Sequence, residues 1–149
     1  MEWSEFGRVA LAAGLGAIVG LEREIRDKPA GLRTHILVGA GSALLLVLGS
    51  PVIAEFKEQG EDFVNSDPIR VMQAIIVGIS VLGAGTIFHE GAHRVEGLTT
   101  AASIFLTAGI GIAVGVGKWP LALGTTMGAF VVLFVVGWIE RLCGRNRDV

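Results

Sequence analysis

Apolar residues run along this chain in five long blocks rather than in amphipathic stripes. Residues 6–21, 36–54, 71–88, 98–117 and 119–139 are 16, 19, 18, 20 and 21 residues long and together take up 94 positions. Of the 26 charged residues of the chain, only Arg8 falls inside them. A helix on a soluble domain turns a polar face to water every turn, whereas these blocks are apolar on all sides and match the about 20 residues that cross a hydrocarbon core. The pattern predicts an all-α integral membrane protein of about five transmembrane helices in a single 149-residue domain, with no soluble C-terminal domain after it. It excludes a soluble enzyme.

Composition agrees: 52% of residues are hydrophobic, 17% are charged and the mean hydropathy is +0.65. The first block runs into Glu22-Arg23-Glu24 rather than a small-residue cleavage site, so the first helix is expected to be retained. Cys143 is the one cysteine, which leaves no internal disulfide framework. With five crossings the termini fall on opposite sides. One set of loops and the tail carry eight Lys and Arg residues, among them Arg23, Arg26, Lys28 and Arg33; the other side carries Arg8, Lys57, Arg70 and Lys118. The excess places the N-terminus outside and the C-terminus in the cytoplasm. Arg8 reads as a snorkelling anchor at the outer end of its helix.

Chemistry-bearing residues are confined to the ends of the blocks. The middles offer hydroxyls and Gln73 but no carboxylate, which argues against a proton relay through one protomer. The densest polar stretch is the loop 22–35, where Pro29-Ala30-Gly31 forces a turn before Arg33-Thr34-His35. On the opposite side Asp67-Pro68 reads as a helix N-cap followed by proline at the first helical position, with Arg70 and Gln73 beyond it. Glycines lie inside the blocks. Gly16/Gly20 and Gly111/Gly115 have the four-residue spacing that lets helices approach, and Gly124/Gly128 repeats it; Gly83 and Gly85 mark a kink or unwinding of the third helix. Packing within one protomer is the first reading of these faces, and a homodimer seam the second.

His89-Glu90-Gly91-Ala92-His93 is a literal H-E-x-x-H. On a helix the two imidazoles would share a face and hold zinc, with Glu90 as general base. Gly91 and the short span between two membrane blocks speak for a solvated turn instead.

Three blocks carry a family likeness: GLEREIRDKPAGLRTHILVGAGSALLL from Gly20, DPIRVMQAIIVGISVLGAGTIF from Asp67 and GLTTAASIFLTAGIGIAVGVG from Gly97. In them the chain resembles the MgtC/SapB family of bacterial membrane proteins over nearly its whole length. The resemblance implies a multi-pass inner-membrane domain with the N-terminus outside, associated with growth at low magnesium and, in pathogens, with survival in host phagocytes. Its motif falls on Glu22, Arg23, Arg33, Thr34 and His35, on Asp67, Arg70 and Gln73, and on Gly83, Gly85, Gly97, Leu98, Thr99 and Thr100. Members commonly show an Arg-Glu-Gly-Gly-like turn at residues 89–96, so His89 and His93 are local variation.

The expected functional centre is therefore an inner-face cluster of Glu22, Arg23, Glu24, Arg33, Thr34 and His35 meeting Thr99 and Thr100, with Asp67, Arg70 and Gln73 as an outer-edge polar site. Gly16, Gly20, Gly83, Gly85, Gly111 and Gly115 are assigned to helix packing. The expected activity is non-enzymatic: binding or regulation of a membrane-protein partner by a homo-oligomer, a dimer first, within the lipid bilayer. No cofactor and no nucleic acid are expected, and Mg2+ is the ion the resemblance brings in. A Mg2+ transporter or channel is the alternative, and a metalloprotease using His89, Glu90 and His93 stands behind both.

Overall fold

Without water to satisfy backbone groups, apolar blocks of this length can only close their hydrogen bonds internally, and each becomes a helix. The computed structural model describes residues 3–58, 68–90 and 94–142. Helices α1 (Trp3–Ile25), α2 (Leu32–Glu58) and α3 (Pro68–Ala84) are followed by strands β1 (Phe88–Glu90) and β2 (Arg94–Glu96), then α4 (Leu98–Gly115) and α5 (Trp119–Val131). A π-helical segment, Val132–Val136, continues α5 into α6 (Gly137–Leu142). The chain is an all-α integral membrane protein but for the small antiparallel hairpin, in which His89 pairs with Val95.

Four stretches, Ser4–Ile25, Leu32–Gly49, Leu98–Gly115 and Trp119–Ile139, are long and apolar enough to cross a bilayer. The fifth helix, α3, has 17 residues, about 26 Å at 1.5 Å per residue against a hydrocarbon core of about 30 Å. The sequence placed this crossing at 71–88. The structure starts it at Pro68 and stops it at Ala84, because Gly83 and Gly85 weaken the last turn and Thr86 folds back, its hydroxyl donating to the Gly83 carbonyl at 2.7 Å. The expected unwinding is thus the end of the helix. Asp67, its proposed cap, lies outside the described residues.

Helix α4 is central: half of its span is buried, against 17% for Trp119–Ile139. Its Ile110 and Val114 meet Ala12, Leu15 and Val19 of α1, Ala43 of α2, and Ala122 and Ala129 of α5 in one core. Glycines set the closeness of α1, α2 and α4. A Cβ on Gly16 would run into the His35 carbonyl, and one on Gly111 into the Gly39 carbonyl, with Ser42 Cβ at 2.9 Å. Gly20 lies against Leu32 and His35, Gly115 against Leu46 and Ala43, and Gly83 in ordinary contact with Ala101 at 3.6 Å, while Gly85 falls beyond the end of α3. Gly124 and Gly128 face open space.

Arg8, exposed near the start of α1, also makes a contact that its position alone did not suggest. Helix α4 ends in a Schellman motif, with Gly117 left-handed (φ 81°) and Lys118 N–H donating to Ala113 O at 2.7 Å, and Arg8 Nη1 donates to the Gly115 carbonyl at 3.2 Å. A cation at the negative end of a helix dipole is favourable, so Arg8 ties the start of α1 to the end of α4.

Candidate functional site

The loop expected over residues 22–35 is mostly helix. Helix α1 continues through Ile25, so Glu22, Arg23 and Glu24 sit on its last turns, and α2 begins at Leu32. What remains is a tight Schellman turn: Asp27 takes the left-handed conformation (φ 52°), its N–H donates to Glu24 O at 3.1 Å and that of Lys28 to Arg23 O at 3.0 Å. Glu24 Oε2 then accepts the Leu32 N–H at 2.9 Å, closing the start of α2. The sequence underrated the helix because three acidic and four basic residues in a row read as a solvated loop, whereas straight-chain Glu and Arg are good helix formers.

At this polar end α1, α2, α4 and the α5 rod meet, and their buried polar groups form one chain of contacts. Glu22 and Arg26, one turn apart on α1, pair at 2.6 Å (Oε1 to Nε) with the Glu22 side chain only 3% exposed. Arg26 reaches on: its Nη2 donates to the Phe134 carbonyl at 3.0 Å and its guanidinium lies 5.7 Å from the Phe134 ring centroid. The carbonyl it takes belongs to the π segment, where the helical ladder is out of step. Arg23 is buried beside Glu22 and its Nη2 donates to Thr100 Oγ1 at 2.7 Å. Ser103, one turn along α4, donates to Thr100 O at 2.8 Å and stands 3.2 Å from His35 Nε2.

Proton bookkeeping sharpens this chain. His35 Nδ1 lies 3.0 Å from the Gly31 carbonyl, which can only accept, so Nδ1 carries the hydrogen. In the neutral ring Nε2 is then an acceptor. The single Ser103 proton has two claimants, Nε2 and the Thr100 carbonyl, and only one can hold it at a time. Two further buried atoms, Glu22 Oε2 and Arg23 Nε, have no hydrogen-bond partner among the described residues. One acceptor and one donor are what this end can still offer to a polar group brought to it.

Of the predicted cluster, Glu22, Arg23, His35 and Thr100 are buried and share this network, while Glu24 holds the turn. Arg33 and Thr99 are exposed and Thr34 is partly so, and none of the three joins the network among the described residues. Sequence reasoning passed over Arg26, Ser103 and Phe134. Two of them had a spacing signal: Arg26 lies four residues after Glu22, and Ser103 three after Thr100. On the opposite side Arg70 and Gln73 are exposed on the first turns of α3. Of the H-E-x-x-H string, His89 and Glu90 are extended rather than helical. Its first two residues form part of β1 and His93 lies outside the described residues, so the i, i+4 spacing that a helical zinc site needs is not provided by the backbone. Among the described residues no group of three or more His, Cys, Asp or Glu side chains converges.

Comparison with known proteins places these residues in a wider set. The model of the MgtC family matches residues 9–142. The chain is 39% identical over 140 residues to an Escherichia coli (strain K12) protein named "Putative magnesium transporter YhiD", covering 93% of this chain and 64% of that one. It is 31% identical over 140 residues to protein SapB of Bacillus subtilis, covering 94% and 60%. It is 38% identical over 113 residues to protein MgtC of Salmonella typhimurium (strain LT2), covering 76% and 44%. The chain thus spans less than two thirds of the length of each of these three relatives. No solved structure gives a significant match.

Proposed function

The chain belongs to the MgtC family, and from that membership we propose that it is a regulatory membrane protein of the bacterial inner membrane, serving adaptation to low magnesium by engaging a membrane-protein partner. The observation that carries this reading is the net-positive character of the polar end. Glu22 is engaged by Arg26, and Arg23 is held by a neutral hydroxyl, so two guanidiniums face one buried carboxylate. Mg2+ wants an octahedron of oxygens with carboxylates among them, and a site with surplus positive charge repels it. The span middles hold no ionisable side chain to relay an ion. A net-positive polar end with exposed Arg33 and Thr99 at its rim suits recognition of a partner better than passage of a cation. The excess of Lys and Arg on that side supports a cytoplasmic location for it, with the N-terminus outside. A homodimer is part of the reading.

Purified protein in liposomes loaded with a magnesium-sensitive dye tests it. The expected result is flux at the lipid background, while the same chain restores growth at low magnesium to a bacterium lacking its own family member and the Arg23→Gln variant does not. A second reading, a Mg2+ transporter, draws on the description of the Escherichia coli relative. Flux above background that is lost in Arg23→Gln would establish it in place of the first. Mass measurement in detergent and in lipid, if both gave monomer only, would remove the dimer.

A further inference from the structure

Residues of helices α2 and α3 line an apolar cavity of about 660 Å³ between them. That is within the roughly 300–1,000 Å³ typical of small-molecule sites. Its floor is Val38, Ser42 and Ile75, all buried, and its rims carry exposed Leu37 and Leu45, so the groove opens sideways into the bilayer. Glycine hollows it. A Cβ on Gly41 or Gly78 would meet nothing within 4 Å, the reverse of Gly111 and Gly115, which bring backbones together. Arg70 is the one charged residue in the lining. It sits on the first turn of α3, at the end opposite the polar network, since Gly49 near the far end of α2 packs on Val71.

We infer that this groove is a binding site for one phospholipid with an anionic headgroup, its acyl chain lying along Gly41 and Gly78 and its phosphate at Arg70. Three observations select this occupant. The lining is aliphatic apart from Ser42 on the floor, with a single guanidinium at one end, which matches a lipid's own polarity. The lateral opening admits a chain from the bilayer. The shortness of α3 brings Arg70 to headgroup depth, where the first turn of a helix also favours an anion. The site is independent of the regulatory reading above and stands or falls by itself.

The test uses the full chain in mild detergent doped with equal amounts of phosphatidylglycerol and phosphatidylcholine of the same chain length, with native mass spectrometry reading the lipid retained. The expected result is one retained lipid per chain, phosphatidylglycerol preferred about fivefold, the factor that one Lys or Arg near an anionic surface is worth. Arg70→Gln should remove the preference and keep the adduct. Gly78→Leu, whose Cβ would meet nothing within 4 Å and whose branch extends into the groove, should remove the adduct of both lipids with helicity by circular dichroism unchanged. Equal retention of the two lipids by the wild-type chain, or an adduct that survives Gly78→Leu, overturns the proposal, and the wild-type result decides even if a variant misfolds. Quantitative disulfide pairing of two Ala74→Cys chains in native membranes would also overturn it, by placing a second copy against the groove, which Ala74 lines.

Discussion

Replacing Gly111 by alanine adds one methyl group at the crossing of α2 and α4, where its Cβ would overlap the Gly39 carbonyl and stand 2.9 Å from Ser42 Cβ. Two of the three nearest atoms are backbone, so the side chain cannot turn aside and the helices must part by about 1 Å. A gap of that size forfeits a quarter to a half of each contact well along the seam. Overpacking of this kind costs about 1–3 kcal/mol, and the gain of about 1 kcal/mol in helix propensity from Gly to Ala offsets part of it. The expected net loss is up to about 2 kcal/mol. Gly124→Ala is the internal control: its Cβ meets nothing within 4 Å, so it should be neutral or stabilising by up to about 1 kcal/mol. Gly115→Ala presses on Leu46 Cβ at 2.9 Å and Ala43 O at 3.2 Å of the same helix α2. Once Gly111→Ala has parted the helices, the second methyl group has room, and the double variant should cost at least about 0.5 kcal/mol less than the sum. Reversible unfolding in mixed micelles, read by circular dichroism, measures all four chains. The reasoning is refuted if Gly111→Ala and Gly124→Ala shift stability alike, or if the Gly111/Gly115 pair is additive.

Glu22→Leu should cost about 3–5 kcal/mol in the same assay, because it strands Arg23 and Arg26 without their carboxylate, and adding Arg23→Met should recover part of the loss; failure of the second change to recover any would show that the charges are not coupled. Nitrogen-15 spectra of the neutral His35 ring should show the hydrogen on Nδ1, held by the Gly31 carbonyl, and the Nε2–H tautomer would contradict the hydrogen-bond order drawn here. Asp27→Gly should leave stability equal or raise it by up to about 1 kcal/mol, since glycine takes the left-handed conformation of the Schellman turn without strain; a clear loss would mean that the Asp27 side chain is itself bonded.

How far the sequence reaches can be judged from particular residues. The five helical blocks were legible because lipid removes the backbone's other options, so an uncharged block of sufficient length is a helix whatever its neighbours, and four of them are long and apolar enough to cross a bilayer. The ends were not legible to the same degree. Glu22–Ile25 reads as loop by charge and is helix, and the third crossing ends four residues early, since local propensity and capping decide there rather than hydropathy. The hairpin of β1 and β2 had no signal of its own, as each strand has only three residues.

The site divides in the same way. Glu22, Arg23, His35 and Thr100 could be assembled in advance because they crowd at the ends of apolar blocks, and the structure packs those ends of α1, α2 and α4 together. Arg26 reaching across to the Phe134 carbonyl, 108 residues away, needed the π segment of the α5 rod to present that carbonyl. The groove at Arg70 needed the angle between α2 and α3. Composition and charge placement alone thus determined the solvent, the apolar helical blocks and which polar residues gather at their ends, because these follow from transfer free energy along the chain. Which glycines touch, which hydroxyl holds Arg23, and where the helices part were decided only by tertiary packing, where fractions of an ångström between non-local atoms set the outcome.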